Sequence, residues 1–283
     1  MTKSYCVRGA GLGLRRGHML RDLLDADPKQ VQFMEVAPEN WIGLGGSLGK
    51  RFREYTERFP FVTHGLSLSI GSPAPLDVEF VKSIRAFIQE HHILQYTEHL
   101  TYCSDNGHLY DLMPSPFTPE AVHYVADRIR QVQDILGQRI AIENASYYAA
   151  PGKEMEEIDF IKAVLEEADC DLLLDINNIY VNSVNHGYDP VEFLQALPGE
   201  RIAYSHIAGH YNEAEDLIVD THGADIIDPV WALLDKAYET FGVFPTLLER
   251  DFNIPEIPVL LKEVDQISRI QEKWQPDSAI AHG

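Results

Sequence analysis

Six short apolar runs in this sequence end in a histidine or an acidic residue. One such residue at the end of a strand is most often a helix cap, a loop hydrogen-bond partner or a satisfied core residue. Three imidazoles and three carboxylates that meet at one place are costly to desolvate unless cations lie among them, and divalent metals bind this nitrogen and oxygen set. The pattern therefore predicts a multinuclear metal site. Its predicted ligands are His64, His99, Glu143, Asp175, His206 and Glu249.

Side-chain alternation supports inward-facing ligands, because successive residues of a strand point to opposite faces. In the run Arg139–Glu143 the two isoleucines share one face, which leaves the small alanine and Glu143 on the other. Asp175 and Glu249 end leucine-containing runs in the same way. Each of these carboxylates is therefore predicted to point into the fold beside an apolar layer.

Two acidic positions near the predicted ligands leave alternatives open. In the run ending at His99, polar residues fall in both registers, so that Glu98 could replace His99 as the inward residue. Glu35 and the pair Glu39–Asn40 follow the second run. They are expected either to orient ligands or substrate from a surrounding layer, or to cap the following helix.

A third metal position is predicted from residues beyond two of the strand ends. Asn178 lies three residues after Asp175, and Asp220 and His222 lie two apart, on the same side of an extended segment. His210 is expected either to join this position or to be a loop histidine that is hydrogen-bonded near the rim.

These residues can meet only in a fold that brings the ends of several strands together. The apolar runs alternate along the chain with segments of helical period, which is typical of β/α units with a parallel sheet. The predicted strands are Cys6–Leu14, Gln32–Val36, Phe61–His64, Leu94–His99, Arg139–Glu143, Asp171–Asp175, Arg201–His206 and Pro245–Glu249. The predicted helices are His18–Leu24, Leu48–Arg58, Leu76–His91, Pro119–Leu136, Glu154–Ala168, Pro190–Ala196, Pro229–Thr240 and Ile257–Trp274. Eight of each predict an α/β fold, a (β/α)8 TIM barrel, in which the carboxyl ends of the strands form the active face.

Local signals refine this prediction. Thr118, Asp189 and Asp228 each precede a proline and are expected to cap the helices that begin there. The glycine-rich segment Gly9–Gly13 lies inside the first run and lacks the six-residue dinucleotide fingerprint, so it indicates close backbone packing near the barrel mouth. We expect one barrel domain over residues 1–274 and a loose tail over residues 275–283.

Composition and charge exclude several classes of function. The 283 residues are 45% hydrophobic and 24% charged, which is typical of a globular protein. A net charge of −21 repels phosphate backbones and anionic lipid surfaces, so we expect neither nucleic acid nor membrane as a partner.

The cysteines and the amino-terminal segment indicate a cytoplasmic protein. Cys6, Cys103 and Cys170 are odd in number and lack zinc-site spacing, which argues against a disulfide framework or a thiolate metal site. The segment Met1–Leu14 lacks the pattern of a secretory signal, and no run approaches 18 apolar residues.

At these residues, from Arg8 to Arg250, the sequence resembles a known family, the multinuclear non-heme iron-dependent oxidative enzymes. This family was long catalogued as an uncharacterised barrel family and includes the iron enzyme of methanobactin biosynthesis. The segments that carry the resemblance are Glu35–Asn40, Thr63–Gly65, Glu98–His99, Ile142–Asn144, Leu174–Asn178, Ser205–His210 and Asp220–His222.

The resemblance implies a sugar-isomerase-like TIM barrel, and the ligand order also looks like that of the trinuclear zinc endonucleases of the same superfamily. By this likeness His64 and His99 would hold one metal, and Glu143 would bridge to a second. The residues implied for the second metal, and with Glu143 for catalysis, are Asp175, His206 and Glu249. The residues implied for the third metal are Asn178, Asp220 and His222, and asparagine stands where the endonucleases have histidine.

The resemblance also implies an activity. Characterised members oxidise cysteine residues of ribosomally made peptides with a mixed-valence iron pair and dioxygen, often with a partner protein that delivers the peptide. For this chain it implies two or three iron ions, a cysteine-containing peptide substrate and such a partner.

The residues alone leave other functions open. Imidazole and carboxylate ligands also accept zinc and manganese. A divalent-metal-dependent isomerase or phosphodiester hydrolase on the same barrel, with metal-bound hydroxide as nucleophile, is the main alternative. A metal-binding adaptor without turnover is a third hypothesis, because a fold does not fix a function.

Overall fold

The architecture is a closed barrel of parallel strands, seen in a computed structural model that describes residues 4–105 and 107–275. The strands of the described residues are β1 (Ala10–Gly13), β2 (Phe33–Val36), β3 (Phe61–Gly65), β4 (Tyr96–His99), β5 (Thr101–Ser104), β6 (His108–Pro114), β7 (Ala141–Glu143), β8 (Asp171–Asp175), β9 (Ile202–Ile207), β10 (Tyr211–Ala214), β11 (Leu217–Val219) and β12 (Thr246–Leu248). The helices are α1 (His18–Asp22), α2 (Gly46–Thr56), α3 (Val78–His91), α4 (Pro119–Leu136), α5 (Glu157–Ala168), α6 (Ile176–His186), α7 (Pro190–Ala196), α8 (Asp228–Phe241) and α9 (Ile257–Trp274).

Eight strands pair in the order β1, β2, β3, β4, β7, β8, β9 and β12, and β12 pairs with β1 to close the barrel. All eight pairings are parallel. The predicted (β/α)8 TIM barrel is therefore confirmed. Two antiparallel hairpins, β5–β6 and β10–β11, are inserted after β4 and β9 at the carboxyl ends of those strands.

The barrel interior holds an apolar layer directly below the strand ends. Among its buried members, six lie on barrel strands two positions before a histidine or an acidic residue, namely Phe33, Val62, Ala141, Leu173, Tyr204 and Leu247. In each strand the residue two positions further on shares the same face and is a histidine or an acidic residue. A Cβ added at Gly11 would lie 2.5 Å from the Phe33 ring, so the close packing expected of the glycine segment is found within this layer.

The helices follow the prediction with one addition and one correction. Thr118 accepts a hydrogen bond from the Ala121 amide and Asp189 accepts one from the Val191 amide, so these predicted caps are confirmed. The predicted cap at Asp228 is wrong, because α8 already includes this residue and Ile227 holds the cap position. Asp228 lies in the first turn of α8, where its carboxylate still interacts favourably with the positive end of the helix dipole. The additional helix is α6, which begins directly after Asp175.

The structure also bears on the predictions for the cysteines, for membrane-spanning helices and for the carboxyl-terminal tail. The three cysteines are free. No helix within residues 4–105 and 107–275 combines the length and the apolar character that a membrane crossing requires. The tail predicted over residues 275–283 lies, apart from Gln275 at the end of α9, outside the described residues.

Candidate metal centre

The first group of candidate ligands joins the ends of β3, β4 and β7. His64 Nε2 lies 3.1 Å from His99 Nε2 and 3.6 Å from Glu143 Oε2, and His99 Nε2 lies 3.3 Å from the same oxygen. His99 Nδ1 is 2.8 Å from the Gly65 carbonyl, which can only accept, so this nitrogen donates and leaves Nε2 for a metal ion or, without metal, a second proton. His99 Nε2 and Glu143 Oε2 therefore face each other in a way that calls for a positive charge between them.

His64 has its proton placed in the same way. Its Nδ1 lies 2.8 Å from Thr97 Oγ1, and this hydroxyl can donate to the Thr63 carbonyl at 3.2 Å. If the Thr97 proton is used in the hydrogen bond to Thr63, Thr97 Oγ1 accepts from His64 Nδ1. The lone pair of the neutral His64 ring is then on Nε2. The first group thus presents two imidazole nitrogens and one carboxylate oxygen to a common point.

The second group joins the ends of β7, β8, β9 and β12 around His206. Its Nδ1 lies 3.1 Å from Glu249 Oε2, 3.3 Å from Glu143 Oε1 and 3.8 Å from Asp175 Oδ2. All four side chains are buried. Glu143 belongs to both groups and directs one oxygen to each, so it occupies the position of a bridging ligand.

Glu35 fixes the orientation of His206. Its Oε2 accepts hydrogen bonds from His206 Nε2 at 2.9 Å and from the Tyr204 hydroxyl at 2.5 Å. One imidazole proton is thereby held on Nε2, and Nδ1 faces the carboxylates, where it can bind a metal ion or carry the second proton of the metal-free imidazole. The Tyr204 hydroxyl also lies 3.1 Å from Thr97 Oγ1, so the side chains that orient His206 and His64 are neighbours in the barrel interior.

The positions of the side chains in the structure decide between the alternatives that the sequence left open near these groups. His99 faces the barrel interior, whereas Glu98 Oε2 accepts from the Tyr96 hydroxyl at 2.7 Å in the other register. Glu39 accepts hydrogen bonds from the Leu66 and Ser67 amides and holds the loop after β3. Neither Glu35 nor Glu39 caps α2, because Gly45 holds that cap position.

A third group gathers around His222 on the loop after β11. His222 Nε2 lies 2.7 Å from Asp220 Oδ1, and His222 Nδ1 lies 3.0 Å from Asp251 Oδ2 and 3.4 Å from Glu249 Oε2. Asp251 was not predicted from the sequence. The signal for it is its spacing of two from Glu249, which keeps both carboxylates on one side of an extended segment.

Asn178 and His210 lie beside these groups. Asn178 stands in the first turn of α6, where its amide donates to Asp175 Oδ1 at 2.6 Å, and its side-chain oxygen is buried without a hydrogen-bond partner. His210 Nδ1 lies 2.8 Å from Asn177 Oδ1, and Asn177 Nδ2 donates to Asp220 at 2.8 Å. His210 therefore reaches the third group through Asn177, and a direct ligand role for His210 stays a prediction.

Several polar atoms of the centre are buried without any hydrogen-bond partner. These atoms are Asp175 Oδ2, Asn178 Oδ1, His206 Nδ1, His210 Nε2, His222 Nε2 and Glu249 Oε2. Nearly all buried polar atoms in proteins have a partner, and each one left without costs about 1–3 kcal/mol. The atoms that lack a partner are nitrogen and oxygen atoms converging on shared points, which is the donor set that divalent and trivalent metal ions bind. The residues therefore fit a multinuclear metal centre.

The charges of the centre call for cations as well. Burial and the nearby Glu143 raise the pKa of Asp175 well above its usual value. Burial acts to lower the pKa of His206, but Glu35 and Glu249 outweigh it and raise this pKa well above the ordinary value. Without metal, the cluster thus retains protons to offset its negative charge, and bound metal ions would replace those protons.

A cavity of about 470 Å³ opens onto this centre. His64 and Glu249 form part of its wall, together with Arg15, Trp41 and Phe252. Arg15 pairs with Asp251 at 2.6 Å and approaches Glu249 Oε1 at 3.4 Å, so a guanidinium offsets the carboxylates on the cavity side. The cavity gives a ligand from solution direct access to two of the candidate metal ligands.

The fold and these groups together define a TIM barrel with a cluster of candidate metal ligands at the carboxyl ends of its strands. The sequence model of the family described as "RiPP precursor modification enzyme MbnB/TglH/ChrH" matches residues 9–272. RiPP denotes a ribosomally synthesised and post-translationally modified peptide. The chain belongs to this family.

The chain is also similar to another protein over nearly its whole length and to solved structures. A UPF0276 protein of Alcanivorax borkumensis is 63% identical over 283 residues, which cover 97% of this chain and 94% of that protein. Two solved structures share the fold at low identity. A xylose isomerase domain protein of Alicyclobacillus acidocaldarius has a TM-score of 0.59 and 14% identity, covering 93% of this chain and 100% of that one. Endonuclease IV of Thermus thermophilus has a TM-score of 0.58 and 14% identity, and the match covers 94% of this chain and 98% of the endonuclease.

Proposed function

We propose that this protein oxidises cysteine residues of a ribosomally made peptide, with iron ions held by the strand-end cluster and dioxygen as the oxidant. The observation that carries the proposal is the position of Glu143, whose two oxygens face two separate groups of buried donors. A carboxylate in this position could hold one metal ion with each oxygen, and two metal ions together would supply the redox chemistry of the proposed oxidation. Membership of a family that modifies peptide precursors supports a peptide as the substrate.

The two inner groups suit a mixed-valence iron pair because their charges differ. The first group contributes two neutral imidazoles and one carboxylate, whereas the second contributes one imidazole and three carboxylates. The more anionic set favours the more highly charged ion. We therefore assign the ferrous ion to His64 and His99 and the ferric ion to Asp175, His206 and Glu249. A third ion would lie near His222, and zinc or manganese could occupy the same donors.

Bound iron would supply thiolate binding and the removal of electrons to dioxygen, and the protein would supply geometry and electrostatics. Arg15 offsets Glu249 and Asp251 on the wall of the cavity, so an anionic thiolate can approach without facing two uncompensated carboxylates. Glu35 keeps the proton of His206 on Nε2 and away from the metal side. The apolar layer below the centre excludes water from the barrel side.

The surroundings of the cavity suit a peptide. Arg16 donates to the Asn40 carbonyl beside Trp41, and Phe252 lies at the rim with 65% of its surface exposed. Tyr148 and Tyr211 are also at least half exposed on loops of the same face. We propose that a partner protein presents the peptide at this face, and that the enzyme works in the cytoplasm, where the free cysteines stay reduced.

The proposal is tested on protein purified without air. We expect two to three iron ions per chain by elemental analysis, and a thiolate-to-iron charge-transfer band when a cysteine-containing peptide is added. A serine-containing copy of the peptide is the matched control and should give no band. Stoichiometric zinc without a visible band would instead support the metal-dependent isomerase or phosphodiester hydrolase.

A further inference from the structure

Arg128 is a buried arginine without an acidic partner. It lies on α4 with 6% of its surface exposed, and the described residues place no carboxylate oxygen within 4.0 Å of its guanidinium. The chain carries 44 acidic residues against 23 lysines and arginines, so a buried arginine that finds no carboxylate is unexpected from composition. A buried charge without a counterion is strongly destabilising.

Only one nitrogen of this guanidinium has protein partners within the described part of the chain. Nη1 donates to the Ala74 carbonyl and to the Tyr124 hydroxyl, both at 2.7 Å. Nε is buried and has no hydrogen-bond partner. Nε and Nη2 together form the edge of a guanidinium that pairs with a carboxylate or a phosphate through two parallel hydrogen bonds. Within the described residues, this edge of Arg128 therefore has no hydrogen-bond partner.

Arg128 lines a cavity of about 310 Å³ between the loop after β3, the end of β5 and the start of α3. Serine residues contribute much of the remaining polar wall, namely Ser67, Ser72 and Ser104. The wall also includes the carboxylate of Asp77, which is engaged as the cap of α3, where Oδ1 accepts from the Phe80 amide at 2.9 Å. The cavity thus combines an uncompensated cation with hydroxyl-bearing residues.

We propose that this cavity binds an oxyanion, a carboxylate or a phosphate group, which pairs with the free edge of Arg128. The site is separate from the metal centre, but the two share a wall. Leu66 lines the cavity at the metal centre and Ser67 lines this one, and Glu39 accepts hydrogen bonds from both amides. An anion on Arg128 would therefore brace the loop that separates the two cavities. The anion comes either from an acidic residue of a bound peptide or from free inorganic phosphate.

The first experiment measures binding to the purified metal-loaded protein by calorimetry, at constant ionic strength. The probes are inorganic phosphate and acetyl-glutamate amide, and chloride is the reference anion. We expect saturable binding of at least one probe. Absence of saturable binding for both would overturn the proposal. A higher affinity for phosphate identifies free inorganic phosphate as the ligand. A higher affinity for acetyl-glutamate amide identifies a carboxylate of a peptide.

Two substitutions on α4 locate the bound anion. Arg128→Gln should weaken binding about 10- to 100-fold, because it removes a charge-assisted pair of hydrogen bonds. Arg130→Gln is the matched control, since Arg130 lies on the same helix but keeps 41% of its side chain exposed and is paired with Asp127 and Glu167. This substitution should leave the affinity unchanged. Unchanged binding in Arg128→Gln would place the anion at the metal ions or elsewhere and refute the assignment.

A conservative variant keeps the test decisive if Arg128→Gln does not fold. Arg128→Lys retains the positive charge and the buried stem but cannot form two parallel hydrogen bonds. We expect weaker binding than in the wild-type protein and a smaller rise of the melting temperature with added anion. If Arg128 only supports the loop through Ala74, Arg128→Lys would change the melting temperature without altering the response to anion, which contradicts the proposal.

Discussion

Glu143→Gln changes the side chain that the first and second groups of candidate ligands share. The glutamine amide keeps one neutral oxygen and replaces the other with an NH2 group, so at least one group loses a donor and both lose the shared negative charge. Loss of a partner that only orients a ligand already costs about 10- to 100-fold in metal affinity, so loss of a shared ligand should cost more at each position. We expect both inner metal ions to be lost while circular dichroism shows an intact barrel.

The assay is elemental analysis after gel filtration in metal-free buffer, with Glu157→Gln as the control. Glu157 is also buried, with 7% of its surface exposed, and accepts from the Tyr147 hydroxyl at 3.1 Å and from Asn182 at 3.2 Å. It lies outside the three groups of ligands, so its substitution should leave the metal content unchanged. Full metal content in Glu143→Gln would refute the bridging role.

Three further predictions concern the support, the protonation and the removal of the centre. Tyr204→Phe deletes a hydroxyl that donates to Glu35 at 2.5 Å, and it should weaken metal binding about 10- to 100-fold in a competition titration with a chelator; unchanged affinity would contradict the orienting role of Glu35. The metal-free protein should melt at a lower temperature at pH 9 than at pH 6.5. Burial acts to lower the pKa of His99, but Glu143 and Glu98 raise it to about 9, so the stability gained from its proton is complete below the unfolded value of about 6.5 and is lost as the pH rises through 9; a rising melting temperature would speak against this charge balance. Removal of metal with a chelator near pH 7.5 should lower the melting temperature and zinc should restore it, because metal binds the folded state, and no change would mean that the cluster holds no metal.

Much of the centre is predictable because the geometry of a parallel barrel converts sequence position into space. A residue at the carboxyl end of a strand lies at the active face, and alternation decides whether it points inward. This reasoning suffices for Glu143, Asp175 and Glu249, whose neighbours alternate between the two faces. It could not decide between Glu98 and His99, because the strand carries polar residues in both registers, and only the pairing of β4 with β3 and β7 separates them.

What the sequence does not disclose depends on contacts between distant segments. The ion pairs of Arg15 with Glu249 and Asp251 join the two ends of the chain, and no local pattern connects them. Helix α6 was missed because its asparagines and β-branched residues have low helix propensity. It forms because Asp175 caps its first turn, so one carboxylate both ends β8 and starts α6.

The anchoring of individual atoms explains why Glu143 occupies the bridging position between the first and second groups. Asp175 Oδ1 accepts a hydrogen bond from the Asn178 amide, and Asp175 Oδ2 faces the centre without a hydrogen-bond partner. Glu249 Oε1 lies near Arg15, and Glu249 Oε2 faces the centre without a hydrogen-bond partner. His206 likewise gives one ring nitrogen to Glu35 and leaves the other. Glu143 makes no such commitment, because the ion-pair contacts of its oxygens in the described residues are to imidazole nitrogens of the two groups. Each of its oxygens therefore stays available to one group, which leaves Glu143 able to join two adjacent ions.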